Sequence, residues 1–235
     1  MQVQKRDGSF QPVKFDKITE RIAAFCKNLT IDPVEIAQQI IKRLTDKIST
    51  KELDKLTSEY CASLALDHPD YLKLASGLAI SNHQKNTPSS FSKVVNILYN
   101  NKDELGQNCP LISEEINSYT FLKTIDDMID YSRDYLLDFF GFRTLERAYL
   151  LRLGETKEII ERPQHMWMRV ALGIHGVNLE KVKETYDYLS LGFFTHATPT
   201  LFHAGTPRPQ MSSCYLLGTE DSVEGIYKTI TNCAQ

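Results

Sequence analysis

The sequence predicts a mainly α chain that opens with a small α+β unit and closes at the start of a sheet or barrel. Three observations carry this. An Asp7-Gly8 pair sits between Val3/Lys5 and Phe10/Val13, a strong short-range hairpin signal, and the expected turn is type I′. Apolar residues then recur at helical spacing through most of the chain. Near its end, Gln210-Met211-Ser212-Ser213-Cys214-Tyr215-Leu216-Leu217 brings small and hydroxyl residues into a short apolar run, the pattern of a strand.

Residues 1–88 read as one module, a β-hairpin or small sheet on a four-helix bundle. Ile18, Ile22, Phe25 and Leu29 form one stripe. Asp32 before Pro33 caps a second helix with Ile36, Ile40, Ile41 and Leu44 inward. Ser49 or Thr50 starts a third helix, and Pro69 a fourth carrying Leu72, Leu74, Ala75, Leu78 and Ala79. Asn86-Thr87-Pro88-Ser89-Ser90 is the linker candidate. Residues 89–195 read as a less regular helical region. Helices are expected near 91–102, 111–118 and 120–130, then a turn at Phe139-Phe140-Gly141-Phe142 and a hairpin around 149–160. Pro163 and Asn178 open two further helices. Residues 196–235 carry the expected strand at 211–217 and a helix from Ser222. A strand so near Gln235 has little following chain to pair with, so it is expected to begin a larger sheet.

Bulk properties narrow the function. The net charge of −3 argues against a general polyanion binder, so no direct nucleic-acid partner is expected. No apolar run reaches membrane-spanning length, and the N-terminus lacks a signal peptide's apolar region. A reducing, cytoplasmic setting is expected. The five cysteines, Cys26, Cys61, Cys109, Cys214 and Cys233, show no CxxC spacing, which fits neither a disulfide scaffold nor a zinc site. Cys26, Cys61 and Cys233 read as packed apolar residues. The histidines form no HxxxH pair, so no metal bound by this chain is expected.

Two places carry chemistry. Lys5 and Arg6 at the hairpin, with Lys14 and Lys17 beside the first helix, gather cations where backbone N–H groups and a helix dipole also favour an anion. Thr50 and Asp54 lie one turn apart on one face and offer a hydroxyl and a carboxylate to a sugar or base. The second place is Cys214, a thiol presented after two serines.

These residues resemble a known family. Val3-Gln4-Lys5-Arg6-Asp7-Gly8, Val13-Lys14-Phe15-Asp16-Lys17-Ile18, Ser49-Thr50-Lys51-Glu52-Leu53-Asp54, His68-Pro69-Asp70-Tyr71 and Ser81-Asn82-His83-Gln84-Lys85 resemble the ATP-cone of ribonucleotide reductases. Phe140-Gly141-Phe142-Arg143-Thr144-Leu145-Glu146-Arg147 and Glu161-Arg162-Pro163-Gln164-His165-Met166 resemble the helical region of the class I large subunit. Phe194-Thr195-His196-Ala197-Thr198-Pro199-Thr200-Leu201-Phe202 and Arg208-Pro209-Gln210-Met211-Ser212-Ser213-Cys214 resemble the first catalytic strand of its ten-stranded α/β barrel. The likeness runs the whole chain and is nearest to eukaryotic and large-DNA-virus members.

The resemblance implies an overall-activity site for ATP or dATP, with Mg, at Val3, Lys5, Arg6, Gln11, Lys14, Lys17, Thr50, Asp54 and Lys85. It implies substrate contacts at Thr198 and Ser213, a specificity-effector site beginning at Asp221, Ser222 and Val223, and a redox role for Cys214. In the family that thiol and a second cysteine reduce the ribose and become a disulfide, making deoxyribonucleotides for DNA replication. Implied partners are the remainder of the large subunit, a small subunit carrying the radical cofactor, further large subunits, and a thioredoxin- or glutaredoxin-type reductant. Thr198 and His203 depart from the Ser and Asn common in eukaryotic relatives. The family's radical-bearing cysteine, second redox cysteine and radical-transfer tyrosines have no counterpart here, so this chain alone is expected to bind nucleotide without catalysis. The alternative is a non-catalytic nucleotide-sensing module, as in regulators that carry a cone. The Ser213-Cys214 segment disfavours it, since a sensor has no need of a redox thiol.

Overall fold

The N-terminal sheet is set by a turn, and the turn by one glycine. In the computed structural model, which covers residues 1–235, β1 (Gln2–Gln4) pairs antiparallel with β2 (Phe10–Pro12), Val3 opposite Gln11. Only Gly8 in the turn has positive φ (+84°), so the turn is not type I′ as the sequence led one to expect. Gly8 N donates to Lys5 O and Lys5 N to Ser9 O, which describes a tight turn followed by a left-handed glycine. Asp7 stays outside the strained region because its carboxylate accepts from Ser9 N and Oγ. The sequence pattern does not reveal the third strand, β3 (Ile48–Ser49). It is two residues long and pairs parallel with β1, in the order β2-β1-β3.

Four helices pack under the sheet. α1 (Phe15–Ala23) buries Ile18 and Ile22. α2 (Pro33–Ile41) starts where Asp32 accepts from Val34 N at 2.8 Å, with Pro33 in the first turn. α3 (Thr50–Ser63) starts with a reciprocal cap: Ser49 Oγ accepts from Glu52 N, and Glu52 accepts from Ser49 N. α4 (Asp70–Asn86) is buried on most of its circumference, as a central helix must be.

A second core forms around α5 (Phe91–Tyr99), α6 (Glu114–Ser118), α7 (Leu122–Met128), α9 (Pro163–His175) and α10 (Leu179–Ser190), with Leu201 of α11 (Thr198–His203) joining it. Between these lie a 3-10 turn over Tyr131–Leu136, α8 (Phe139–Thr144) and a π turn over Leu145–Tyr149. The expected turn at Phe139-Phe142 is thus helical. Asp138 caps it by accepting from Gly141 N at 2.6 Å, and Phe139 and Phe142 turn back into the first core. The expected hairpin at 149–160 is reduced to one antiparallel bridge, Arg152 to Ile159.

Three expectations near the C-terminus are corrected. Residues 211–217 form no strand and are exposed, because no other segment of this chain lies beside them to complete a hydrogen-bonded ladder. Thr198–His203, expected as strand, forms the short helix α11, with Pro199 in its first turn. Cys233 is exposed on α12 (Val223–Ala234) rather than packed. No helix is long and apolar enough to cross a membrane.

The two cores meet along a polar seam. Arg162 donates to Thr87 Oγ1, Thr87 O and Gln84 O at 2.7–3.0 Å, so the residues that read as a linker are held in place. A carbonyl only accepts, so His83 Nε2 carries the proton shared with Glu161 O at 2.9 Å. Burial lowers the His83 pKa to about 4, and neighbouring cations add to this. Glu146 lies 3.8 Å from His83 Nδ1 but is engaged by Arg143, so it does little to recharge the ring. Burial also holds His165 well below the usual histidine range.

This sets a pH dependence. Both rings are neutral in the fold, whereas the unfolded chain protonates them near pH ~6.5. Below that pH the unfolded state binds more protons, so stability falls with pH, and the His83 contribution levels off near pH 4. For His83 the loss is about 3 kcal/mol. Urea midpoints at pH 7, 5.5 and 4.5 should fall in that order, and His83→Gln should flatten the trend. Parallel curves for the two proteins would remove His83 from the account.

Candidate functional site

All nine residues singled out for nucleotide binding, Val3, Lys5, Arg6, Gln11, Lys14, Lys17, Thr50, Asp54 and Lys85, line one open cavity of about 460 Å³. β1 and β2 form one wall, α1 a second, and the start of α3 with the end of α4 a third. Six cations and two carboxylates face it: Lys5, Arg6, Lys14, Lys17, Arg21 and Lys85 against Glu20 and Asp54. The volume and the mixture of polar and apolar walls are those of a small-molecule site.

Asp54 organises the floor. It is 8% exposed and accepts from Arg6 Nη2 at 3.1 Å and from Arg21 Nε and Nη2 at 3.2 Å each. Arg21 also donates to Ser81 Oγ, and Arg6 to Asn82 and Asn86 of α4 at 2.6 and 3.1 Å. The two guanidiniums therefore tie the hairpin and α1 to α3 and α4. Lys5, Lys14, Lys17 and Lys85 have no carboxylate partner. Burial lowers the Lys85 pKa, and the nearby Arg21 lowers it further. Such a cavity can neutralise several negative charges at once.

Sequence reasoning did not single out Arg21, although the signal was there. Lys17 and Arg21 are four residues apart and share one face of α1, with Lys14 at its N-cap. Asn82 and Asn86 carried no such signal, because their role depends on where α4 crosses the hairpin.

The second set of predicted residues is not drawn together in this way. Ser213 and Cys214 are adjacent and exposed, with Ser213 Oγ 3.8 Å from Cys214 Sγ. All five cysteines are free thiols. Thr198 is exposed at the start of α11, its hydroxyl 3.0 Å from Tyr149 OH. Asp221, Ser222 and Val223 are exposed, and Ser222 Oγ caps α12 by accepting from Gly225 N at 3.0 Å.

Comparison with known proteins decides the family. Residues 1–86 match the ATP cone domain, and residues 135–209 match the ribonucleotide reductase all-alpha domain. The whole chain aligns at 49% identity with "Ribonucleoside-diphosphate reductase large chain 2" of Saccharomyces cerevisiae. It aligns at 45% with the "Ribonucleoside-diphosphate reductase large subunit" of Arabidopsis thaliana and at 46% with that of Variola virus. The chain belongs to the ribonucleotide reductase large-subunit family. It spans 28%, 29% and 31% of the length of these three relatives, and corresponds to their N-terminal part. The cationic cavity described above lies wholly within the ATP cone.

The cone's charge balance gives a direct test. Asp54→Asn leaves Arg6 and Arg21 without their shared counter-ion while Lys85 crowds the same floor. The ligand-free protein should lose about 1–3 kcal/mol, and added salt should recover part of it by screening the repulsion. Chemical denaturation at low and high salt reads both. An unchanged midpoint at both would show that Asp54 does not hold the floor together.

Proposed function

We propose that this chain is the nucleotide-sensing and thiol-bearing N-terminal part of a ribonucleoside-diphosphate reductase large subunit. The single observation that supports this most is the cone cavity, where nine sequence-selected residues surround one space with four unpaired lysines. A nucleoside triphosphate supplies the matching charge, and Mg is expected to accompany it. Lys5, Arg6, Lys14, Lys17 and Lys85 would hold the phosphates, while Thr50 and Asp54 on α3 would read the sugar or base. ATP and dATP are the proposed effectors.

The complete enzyme would reduce ribonucleoside diphosphates to 2′-deoxyribonucleoside diphosphates. Each turnover removes the 2′-hydroxyl as water and converts two thiols to a disulfide, which accounts for both electrons. Cys214 would be one of those thiols, and Thr198 and Ser213 would hold the substrate. Asp221, Ser222 and Val223 would begin the specificity-effector site. A radical cofactor in a small subunit would supply the hydrogen-abstracting chemistry. The remainder of the large subunit, further large subunits and a thioredoxin- or glutaredoxin-type reductant are the other proposed partners, in the cytoplasm. The domain reading is 1–88 for the cone, 89–195 for the helical region and 196–235 for the approach to the catalytic barrel.

Two measurements test this. Calorimetric titration should show ATP and dATP competing for one cavity, and Lys5→Ala or Arg6→Ala should each weaken binding by about 1–3 kcal/mol. No heat with either nucleotide at high micromolar concentration would refute a working cone. Separately, Cys214→Ser in the complete reductase should abolish sustained turnover, with dithiothreitol as well as with protein reductants, yet retain substrate binding. A serine cannot form the disulfide, so continued turnover would make Cys214 a bystander.

A further inference from the structure

Arg169 is fully buried, so each of its donors needs a partner inside the protein. Nε and Nη2 donate to the two oxygens of Glu161 at 2.6 and 3.1 Å. Nη1 donates to Leu201 O and Ala204 O at 3.2 and 2.8 Å, the carbonyls at the end of α11. The backbone lies tight on this side chain. Gly205 has φ of +78°, and a Cβ there would come within 2.9 Å of Arg169 Cγ. A Cβ at Gly173 would come within 2.3 Å of Gly205 N, so only glycine lets α9 approach this closely. The base of α11 is therefore fixed from below.

Two side chains of α11 hold the thiol segment. Thr200 Oγ1 donates to Met211 O at 3.0 Å, and His203 Nδ1 lies 2.9 Å from Gln210 O. Since a carbonyl only accepts, His203 Nδ1 carries the proton. Cys214 follows Met211 by three residues, at most about 11 Å of chain. Residues 211–217 have no strand partner here, so these two side chains are what tie the segment back to the folded body.

We propose that α11 is a pedestal for the thiol, with Thr200 and His203 as positioning residues for Cys214 and the Glu161–Arg169 pair fixing its base. This rests on the redox reading of Cys214. Neither side chain need touch substrate. Each holds a backbone carbonyl whose position sets where the sulfur can go, and displacement of a reacting group by about 1 Å can cost orders of magnitude in rate.

The test uses the complete reductase and avoids Arg169, whose loss would threaten folding. Thr200→Val with His203→Ala removes both tethers and leaves the core unchanged. kcat should fall by about tenfold or more, with a smaller change in KM and an unchanged unfolding midpoint. Iodoacetamide labelling, read peptide by peptide, should speed up at Cys214 while Cys109 stays constant. Thr200→Ser with His203→Asn keeps both donors and should restore kcat and the labelling rate. If kcat and Cys214 labelling match the wild type while Cys214→Ser is inactive, the pedestal is wrong and the redox reading survives. If Cys214→Ser turns over, the redox reading fails, and the labelling rates alone decide whether the tethers position the segment. Failure of the donor-keeping variant to rescue would also overturn the proposal.

Discussion

An arginine with no exposure to water is costly unless every charge and donor is answered, and α9 and its N-cap carry two arginines close to that condition. Arg169 answers Glu161 and the end of α11, while Arg162 answers the end of α4 and stacks over Tyr131. Both sit on or beside one helix that is buried all round from Pro163 to Leu172 and gives Met166, Val170 and Leu172 to the second core. The relative placement of the cone, the helical region and α11 therefore depends on one element. Glu161 sits at its head and serves three neighbours: its carboxylate takes Arg169 and Leu151 N, and its carbonyl takes His83. Removing either charge of the Glu161–Arg169 pair would leave the other buried and unmatched, which is far more damaging than the pair's net contribution would indicate.

The cone uses charge in the opposite way. Its cations are only partly compensated, and the excess lies open to solvent in a cavity. A fold can carry such repulsion because one carboxylate, Asp54, is shared between two guanidiniums while the lysines stay hydrated. The arrangement costs stability in the free protein and favours a polyanionic ligand by mass action. The same construction explains why the chain can be acidic overall, at −3, and still present a strongly positive site.

What the sequence made legible follows the range of each interaction. The caps at Asp32 and Ser49, the four cone helices and the shared face of Thr50 and Asp54 are local, and periodicity and capping rules find them. Arg21 was within reach by helical spacing. The turn at Gly8 was placed correctly but mistyped, because the Asp7 carboxylate satisfies Ser9 locally and spares Asp7 a positive φ. The apolar run 211–217 reads as strand, yet a strand exists only with a neighbour, and no residue within the run records which segment that is. The helical state of Phe139–Thr144 turns on Asp138 as a cap and on two phenylalanines folding back into the first core, a contact across more than fifty residues. The π turn after it has no sequence signature.

α4 joins these two regimes. Ser81 and Asn82 receive Arg21 and Arg6, which line the cationic cavity, while the next two residues, His83 and Gln84, face the helical region and hold Glu161 O and Asp134. Successive residues on a helix point about 100° apart, so four in a row cover both sides of the seam. A ligand shifts the rest of a protein only through contacts that differ between states. Phosphates that compete for Arg6 and Arg21 would draw them away from Asp54, Ser81 and Asn82, and would alter the load on a helix whose neighbouring side chains are locked into the second core. On the proposed function, the cone and the helical region would be coupled through the backbone of one buried helix, with His83, Gln84 and Arg162 as its fixed points on the far side.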